Sequence, residues 1–176
     1  MAKIIATLKE EDIYPSVTPT KESDYTEPRN SVRVVIFDED GCVALGFVKE
    51  DNGNKRYSMI GGGVDEGESV EDACSREALE EAGCKIKNVI EMGIIEERGI
   101  GSDRRGRFIQ TNYCFLAQVD GMKNEPHFTE DDIKDGLGLI WLPLDTAITN
   151  LEQQQDTFIT RKTLILLNEA KRLAVN

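Results

Sequence analysis

Three glutamates, Glu77, Glu80 and Glu81, fall within five positions of the segment SREALEEAGC, residues 75–84. On a helix turning 100° per residue, Glu80 and Glu81 sit about 60° and about 40° to either side of Glu77. Val70, Ala73 and Cys74 fall inside the same arc. The carboxylates therefore continue the stripe that is apolar in the first two turns, whereas a solvated acidic face would lie opposite it. Glutamates four apart, such as Glu77 and Glu81, cost roughly 0.2–0.5 kcal/mol when exposed and more when partly buried. A hard divalent cation bound through oxygen would relieve that cost, and it suits a chain whose one histidine is His127. Arg76, four residues before Glu80, can brace that carboxylate.

The segment MIGGGVDEGES, residues 59–69, leads into this helix through Gly61, Gly62 and Gly63. Glycines there permit tight turns and a close backbone approach to a ligand at a helix N-terminus. The spacing matches neither the Walker loop nor the dinucleotide fingerprint. Glycine loop and in-line glutamates together suggest Mg²⁺ or Mn²⁺ holding a phosphate ester.

These residues need a scaffold. Ser69 is a natural N-cap with Asp72 three residues on, and Gly83 is placed as the helix stop. SVRVVIFDEDGCVALGFV reads as two strands joined by a turn at Asp40–Gly41, and a second turn falls at Asn52–Gly53 before the short strand RYSMI. KIKNVIEMGIIEER, RFIQTNYCFLAQVD and GLGLIWLPL read as further strands, the last ended by Pro143. The chain closes on a helix in which Phe158, Leu164, Ile165, Leu167 and Leu173 form an apolar face. Strands, one helix, more strands and a terminal helix predict an α+β domain over residues 31–176. Residues 1–30, with Pro15, Pro19 and Pro28, predict an N-terminal arm holding at most a short strand near 3–8.

Composition narrows the function classes. At 176 residues, with 39% hydrophobic and 31% charged residues, the chain can bury one ordinary core. No apolar run reaches the ~18–20 residues of a membrane span. The N-terminus turns acidic before a secretory segment develops, so a cytoplasmic protein is expected. Cys42, Cys74, Cys84 and Cys114 form no CxxC pair and read as reduced core residues. A net charge of −12 argues against general binding to nucleic-acid backbone or to anionic membranes. It allows an anionic small molecule if a metal or local cations reverse the field. Arg98, Arg104, Arg105 and Arg107 make one such local reversal.

Residues 62–84, GGVDEGESVEDACSREALEEAGC, resemble the signature of the Nudix hydrolase family. Gly62, Glu68, Arg76, Glu77, Glu80, Glu81 and Gly83 match its fixed positions in register. Ala78 and Cys84 replace bulkier aliphatics, and Ile60 replaces a proline common before the glycines. The resemblance implies an α/β/α sandwich on a mixed β-sheet and hydrolysis of a nucleoside diphosphate linked to another group. It implies metal ligation by Glu77, Glu80, Glu81 and the Gly61 carbonyl, with Arg76 and Glu68 as supports. The proton acceptor is then Glu77 or a later acid, for which Glu130 and Asp131 are candidates. Arg98 and Arg107 are the candidates for holding phosphates, and Trp141 and Tyr113 could stack on a base. Markers of several subfamilies are missing, which leaves a nucleoside triphosphate or a small nucleotide sugar as the expected substrate. A catalytically silent nucleotide sensor is the alternative, and a homodimer through the arm stays open.

Overall fold

The computed structural model describes residues 2–16, 28–50, 53–100, 107–128 and 130–174, with the side chains of residues 100, 131 and 132 left aside. Among these residues seven strands form one mixed sheet: β1 (Ile4–Lys9), β2 (Arg29–Phe37), β3 (Cys42–Lys49), β4 (Lys55–Met59), β5 (Lys85–Ile100), β6 (Arg107–Asp120) and β7 (Leu137–Pro143). The path runs β1-β5-β6-β2-β3-β4, with β7 paired to β3. β1 lies parallel to β5 and β2 parallel to β6, while β5 and β6 form a long antiparallel hairpin.

Helices cover both faces. Five are described: α1 (Glu10–Ile13), α2 (Val70–Ala82), α3 (Glu130–Lys134), α4 (Leu144–Glu152) and α5 (Phe158–Ala174). On one face Ala73, Cys74, Ala78 and Ala82 of α2 pack on Val32, Val34, Ile36, Ala44 and Phe115. The small alanines and cysteines let this helix lie close to the strands. On the other face Leu151 of α4 and Leu166, Leu167 and Ala170 of α5 pack on Val35, Val43, Leu45 and Ile95. The alternation of β2 explains the split, because successive residues supply opposite layers.

One sequence expectation is amended and others are filled in. The segment after Pro143 forms α4 rather than a plain connection, because Pro143 stands as its N-cap as well as ending β7. Residues 4–9 enter the main sheet at its edge. The turn residue Asn52 and the arginines Arg104 and Arg105 lie outside the described residues. All four cysteines are free thiols, three buried and Cys42 half-buried.

Two local signals set the position of α2. The Ser69 hydroxyl accepts from the Asp72 N–H at 3.1 Å and capps the first turn, with Glu71 and Asp72 favoured by the helix dipole there. Gly83 ends the helix at φ 64°, where a side chain would strain the backbone and collide with the Asn124 carbonyl.

Candidate active site

The glycine segment is held by β2. Val34 N–H donates to the Ile60 carbonyl at 2.9 Å, Val32 N–H to the Gly62 carbonyl at 2.9 Å, and Val64 N–H to the Asn30 carbonyl at 3.1 Å. Gly61 adopts φ 134° with its Cα packed on the Val32 carbonyl, a conformation closed to other residues. This pairing turns the Gly61 N–H toward α2, where it donates to Glu81 Oε2 at 2.8 Å. Gly62 lies so close to the Glu77 carboxylate that any side chain there would displace it.

Arg76 organises the rest. Its Nε and Nη2 donate to the two oxygens of Glu68 at 2.9 and 3.0 Å, a bidentate pair. Nη2 also donates to the Gly63 carbonyl at 2.8 Å, and Nη1 reaches Glu77 Oε1 at 2.8 Å and Glu80 Oε2 at 3.1 Å. One guanidinium thus ties the glycine loop to three acids from two elements. The Glu68 bond holds the Arg76 pKa above its ordinary value, and Arg76 in turn holds the Glu68 carboxyl below its own.

The glutamates differ in environment. Glu77 is buried at 6% exposure while Glu80 is exposed. Burial pushes the Glu77 carboxyl up despite its bond from Arg76. Burial pushes Glu81 up to about 7, opposed by the Gly61 N–H and reinforced by the charge of Glu77. No three acidic, histidine or cysteine side chains among the described residues converge as a preformed metal cage. The fit of a cation rests instead on the donor chemistry: oxygen ligands, two of them desolvated, beside a glycine cradle that a Cβ would fill. Glu77, Glu80 and Glu81 can hold a hard divalent ion once Arg76 yields its bond to Glu80. The Gly61 carbonyl belongs to the same residue whose N–H binds Glu81.

Glu81 makes a pH prediction. Its carboxyl stays protonated to about 7 when folded but to only about 4.5 when unfolded. Between those limits the native state holds more protons, so stability of the metal-free protein falls as pH rises through that window. The contribution amounts to at most about 3 kcal/mol. Urea unfolding in chelator at pH 5 and pH 7 should show this loss in wild type and its absence in Glu81→Gln. The same proton competes with a cation, so divalent-ion affinity should drop below about pH 7.

Two arginines escaped the sequence reading. Arg29 and Arg33 share a face of β2 with Ser31, two and four residues apart, as strand alternation allows. The Arg29 guanidinium lies against Gly63, and Arg33 donates to the Val32 carbonyl at 2.7 Å within the field of Glu97, Glu81 and Glu77. Arg98 is half-buried on β5 opposite Ile109, and Arg107 is exposed at the start of β6. Both stand at the end of the sheet where β2 begins, Arg107 on β6 and Arg98 one strand further from the glycine loop. Glu130 is exposed at the start of α3, outside the Arg76 network; the Asp131 side chain lies outside the description. Trp141 and Tyr113 are half-buried in β7 and β6.

The NUDIX domain family model matches residues 27–162 of this chain. The chain belongs to the NUDIX family. Curated relatives include the oxidized purine nucleoside triphosphate hydrolase of Mus musculus, 40% identical over 60 residues, which are 34% of this chain and 38% of that protein. The RNA pyrophosphohydrolase of Wolbachia pipientis subsp. Culex pipiens (strain wPip) is 37% identical over 68 residues, 39% of this chain and 41% of its own. The matched regions span well under half of these relatives. Among solved structures, a NUDIX hydrolase from Nitrosomonas europaea superposes with TM-score 0.59 at 18% identity, covering 83% of this chain and 90% of the other. The NUDIX domain of Shewanella oneidensis NrtR, complexed with ADP ribose, gives 0.58 at 15% identity, covering 94% and 98%. These superpositions establish the NUDIX α/β/α sandwich for this chain.

Proposed function

We propose that this chain is a divalent-metal-dependent hydrolase that cleaves the pyrophosphate linkage of a nucleoside diphosphate joined to another group. The observation that carries the reading is the Arg76 junction. It locks Glu77 against Gly62 and leaves Glu77 and Glu81 desolvated beside the glycine loop. Glu77, Glu80 and Glu81, with the Gly61 carbonyl, hold Mg²⁺ or Mn²⁺. Arg76 and Glu68 orient them, and Gly62 and Gly83 shape the loop and the helix end. The cation supplies charge neutralisation at the anhydride oxygens and activation of water.

The chain's own groups do the rest. Arg29 at Gly63, with Arg98 and Arg107 at the same end of the sheet, draws the substrate phosphates into an otherwise acidic protein. Water attacks phosphorus, the P–O bond of the anhydride breaks, and the leaving phosphate departs with the electron pair. The water's proton passes to a carboxylate, Glu77 or Glu130. Similarity to proteins named for nucleoside triphosphate and RNA pyrophosphate hydrolysis favours a nucleoside triphosphate end as substrate. Glu77, Glu80 and Glu81 are all present and braced, which favours an enzyme over a silent sensor.

The test is a panel of nucleoside triphosphates, dinucleotides and nucleotide sugars with Mg²⁺ or Mn²⁺, recording phosphate and pyrophosphate release. Turnover of one class, dependent on the cation and suppressed by chelator, is the expected result. Tight cation-dependent binding without release would return the chain to the sensor class.

A further inference from the structure

A pocket of about 460 Å³ opens between β4 and the connection from α4 to α5, in the layer across the sheet from α2. Small-molecule sites are mostly walled by apolar and aromatic side chains. This wall is polar. Lys55 and Arg56 come from β4, and Asn150, Gln153 and Gln155 come from α4 and the connection. Among the described residues the side chains of Arg56, Asn150, Gln153 and Gln155 spend no hydrogen bond or ion pair on another protein group. The Lys55 ammonium lies 4.1 Å from the centre of the Phe47 ring, a contact that holds the cation without neutralising it. Lys55 also stands directly opposite Lys49 on β3, and like charges so placed destabilise a sheet. Among the described residues Glu50 is the one acid in the wall, so the pocket sets two cations against one anion in a chain of net charge −12.

One amide of the wall is already committed, and it holds the two sides together. β4 ends the path of strands through the sheet, so one of its edges lacks a neighbouring strand. Gln154 takes that place: its Oε1 accepts from the Tyr57 N–H at 3.2 Å, and its Nε2 donates to the Lys55 carbonyl at 2.8 Å. The side chain satisfies two edge groups and fastens the α4–α5 connection to β4. The cations and the amides therefore face one space at a fixed separation, whereas side chains on unconnected surface segments would not.

We propose that this pocket is a second ligand site, separate from the α2 glutamates, that takes a small anion rich in hydrogen-bonding groups, of the sugar-phosphate class. The chemistry selects the occupant. Lys55 and Arg56 supply charge for the phosphate, Arg56 through a planar fork that matches two phosphate oxygens. Asn150, Gln153 and Gln155 each offer donors and an acceptor, which suits neighbouring hydroxyls. An apolar ligand would desolvate these groups and leave them unpaired. The site stands independently of the proposed hydrolysis.

Calorimetric titration of ribose 5-phosphate into the metal-free protein, in chelator, tests the site, with inorganic phosphate and ribose as separate probes. Ribose 5-phosphate should bind once per chain, about tenfold more tightly than either probe, because each of those uses one side of the wall. Lys55→Gln combined with Arg56→Gln should weaken that binding about tenfold or more. Gln153→Ala combined with Gln155→Ala should weaken ribose 5-phosphate and leave inorganic phosphate as it was. Arg29→Gln, at the glycine loop, should change neither. Hydrogen exchange across β4 should slow on adding ribose 5-phosphate, which locates the ligand. All four pocket positions are exposed, and unchanged thermal unfolding would exclude misfolding as the cause of a loss. No binding at millimolar ligand, equal binding of ribose 5-phosphate and inorganic phosphate, or loss in Arg29→Gln with none in the pocket variants overturns the site.

Discussion

Replacing Glu81 by glutamine should lower kcat on the order of 10²–10³-fold or more while leaving the fold intact. Glutamine keeps an oxygen to accept the Gly61 N–H, now at 2.8 Å from Glu81 Oε2, so the glycine loop retains its anchor. What disappears is a negative charge that burial has already made costly, as the carboxyl held up to about 7 records. The metal-free variant should then unfold at a higher urea concentration than wild type at neutral pH, although it turns over less. A structural residue would move both quantities the same way. Calorimetric titration of Mn²⁺ into each protein gives the third reading, with weaker binding expected in the variant. Activity above a tenth of wild type would remove Glu81 from the site.

The opposition between stability and activity runs through α2. The helix ends on Glu80 and Glu81 with no basic residue in its last turn, where the dipole disfavours anions. Each such charge costs roughly 0.3–1 kcal/mol. Arg76 offsets part of this by bonding Glu80, and Glu81 leans on a backbone N–H. A cation between them would offset the remainder, which is why the pattern tolerates charges on a stripe that packs on the sheet.

The helix was legible because its signals are local. Ser69, Asp72, Gly83 and the spacing of Arg76 to Glu80 all act within a few turns, and each is read without knowing what lies across the fold. The braces on Glu68 and Gly63 join residues eight and thirteen positions from Arg76, still within one loop and helix. Arg29 and Arg33 were harder, because in the run PRNSVRVVIF they look like the solvent side of an alternating strand. Their proximity to the glycines depends on β2 pairing with residues 60–63, which no local pattern announces. The cleft lined by Phe47, Phe128, Ile133 and Trp141 is likewise assembled from β3, the segment after β6, α3 and β7, and closes only when β7 pairs with β3. Glu97, in the run IIEERG, gave no sign of being one of the most deeply buried side chains.

That buried glutamate gives the largest stability effect expected away from the site. Lys162→Met should destabilise the protein by about 3–5 kcal/mol, because it strands a carboxylate that water cannot reach. Lys162 Nζ stands 2.8 Å from Glu97 Oε2, with the two side chains 7% and 2% exposed. The same oxygen accepts from Asn112 Nδ2 at 2.9 Å and Gln110 Nε2 at 3.2 Å, while Glu97 Oε1 has no partner. The amides and the charge of Arg33, which makes no hydrogen bond to Glu97, would then face a buried carboxylate that has lost its ion-pair partner. Adding Glu97→Gln to Lys162→Met should recover most of the loss, since a neutral amide can share the network formed by Gln110, Asn112 and Ser31. Urea midpoints for both single variants and the double variant measure the coupling. A loss below about 1 kcal/mol in Lys162→Met would mean the pair is hydrated, since exposed ion pairs are worth no more than that. Because the network links α5 to β5, β6 and β2, its loss should also loosen the strand that holds the glycine loop. Lys162→Met should therefore lower kcat, and Glu97→Gln with Lys162→Met should restore kcat and stability together.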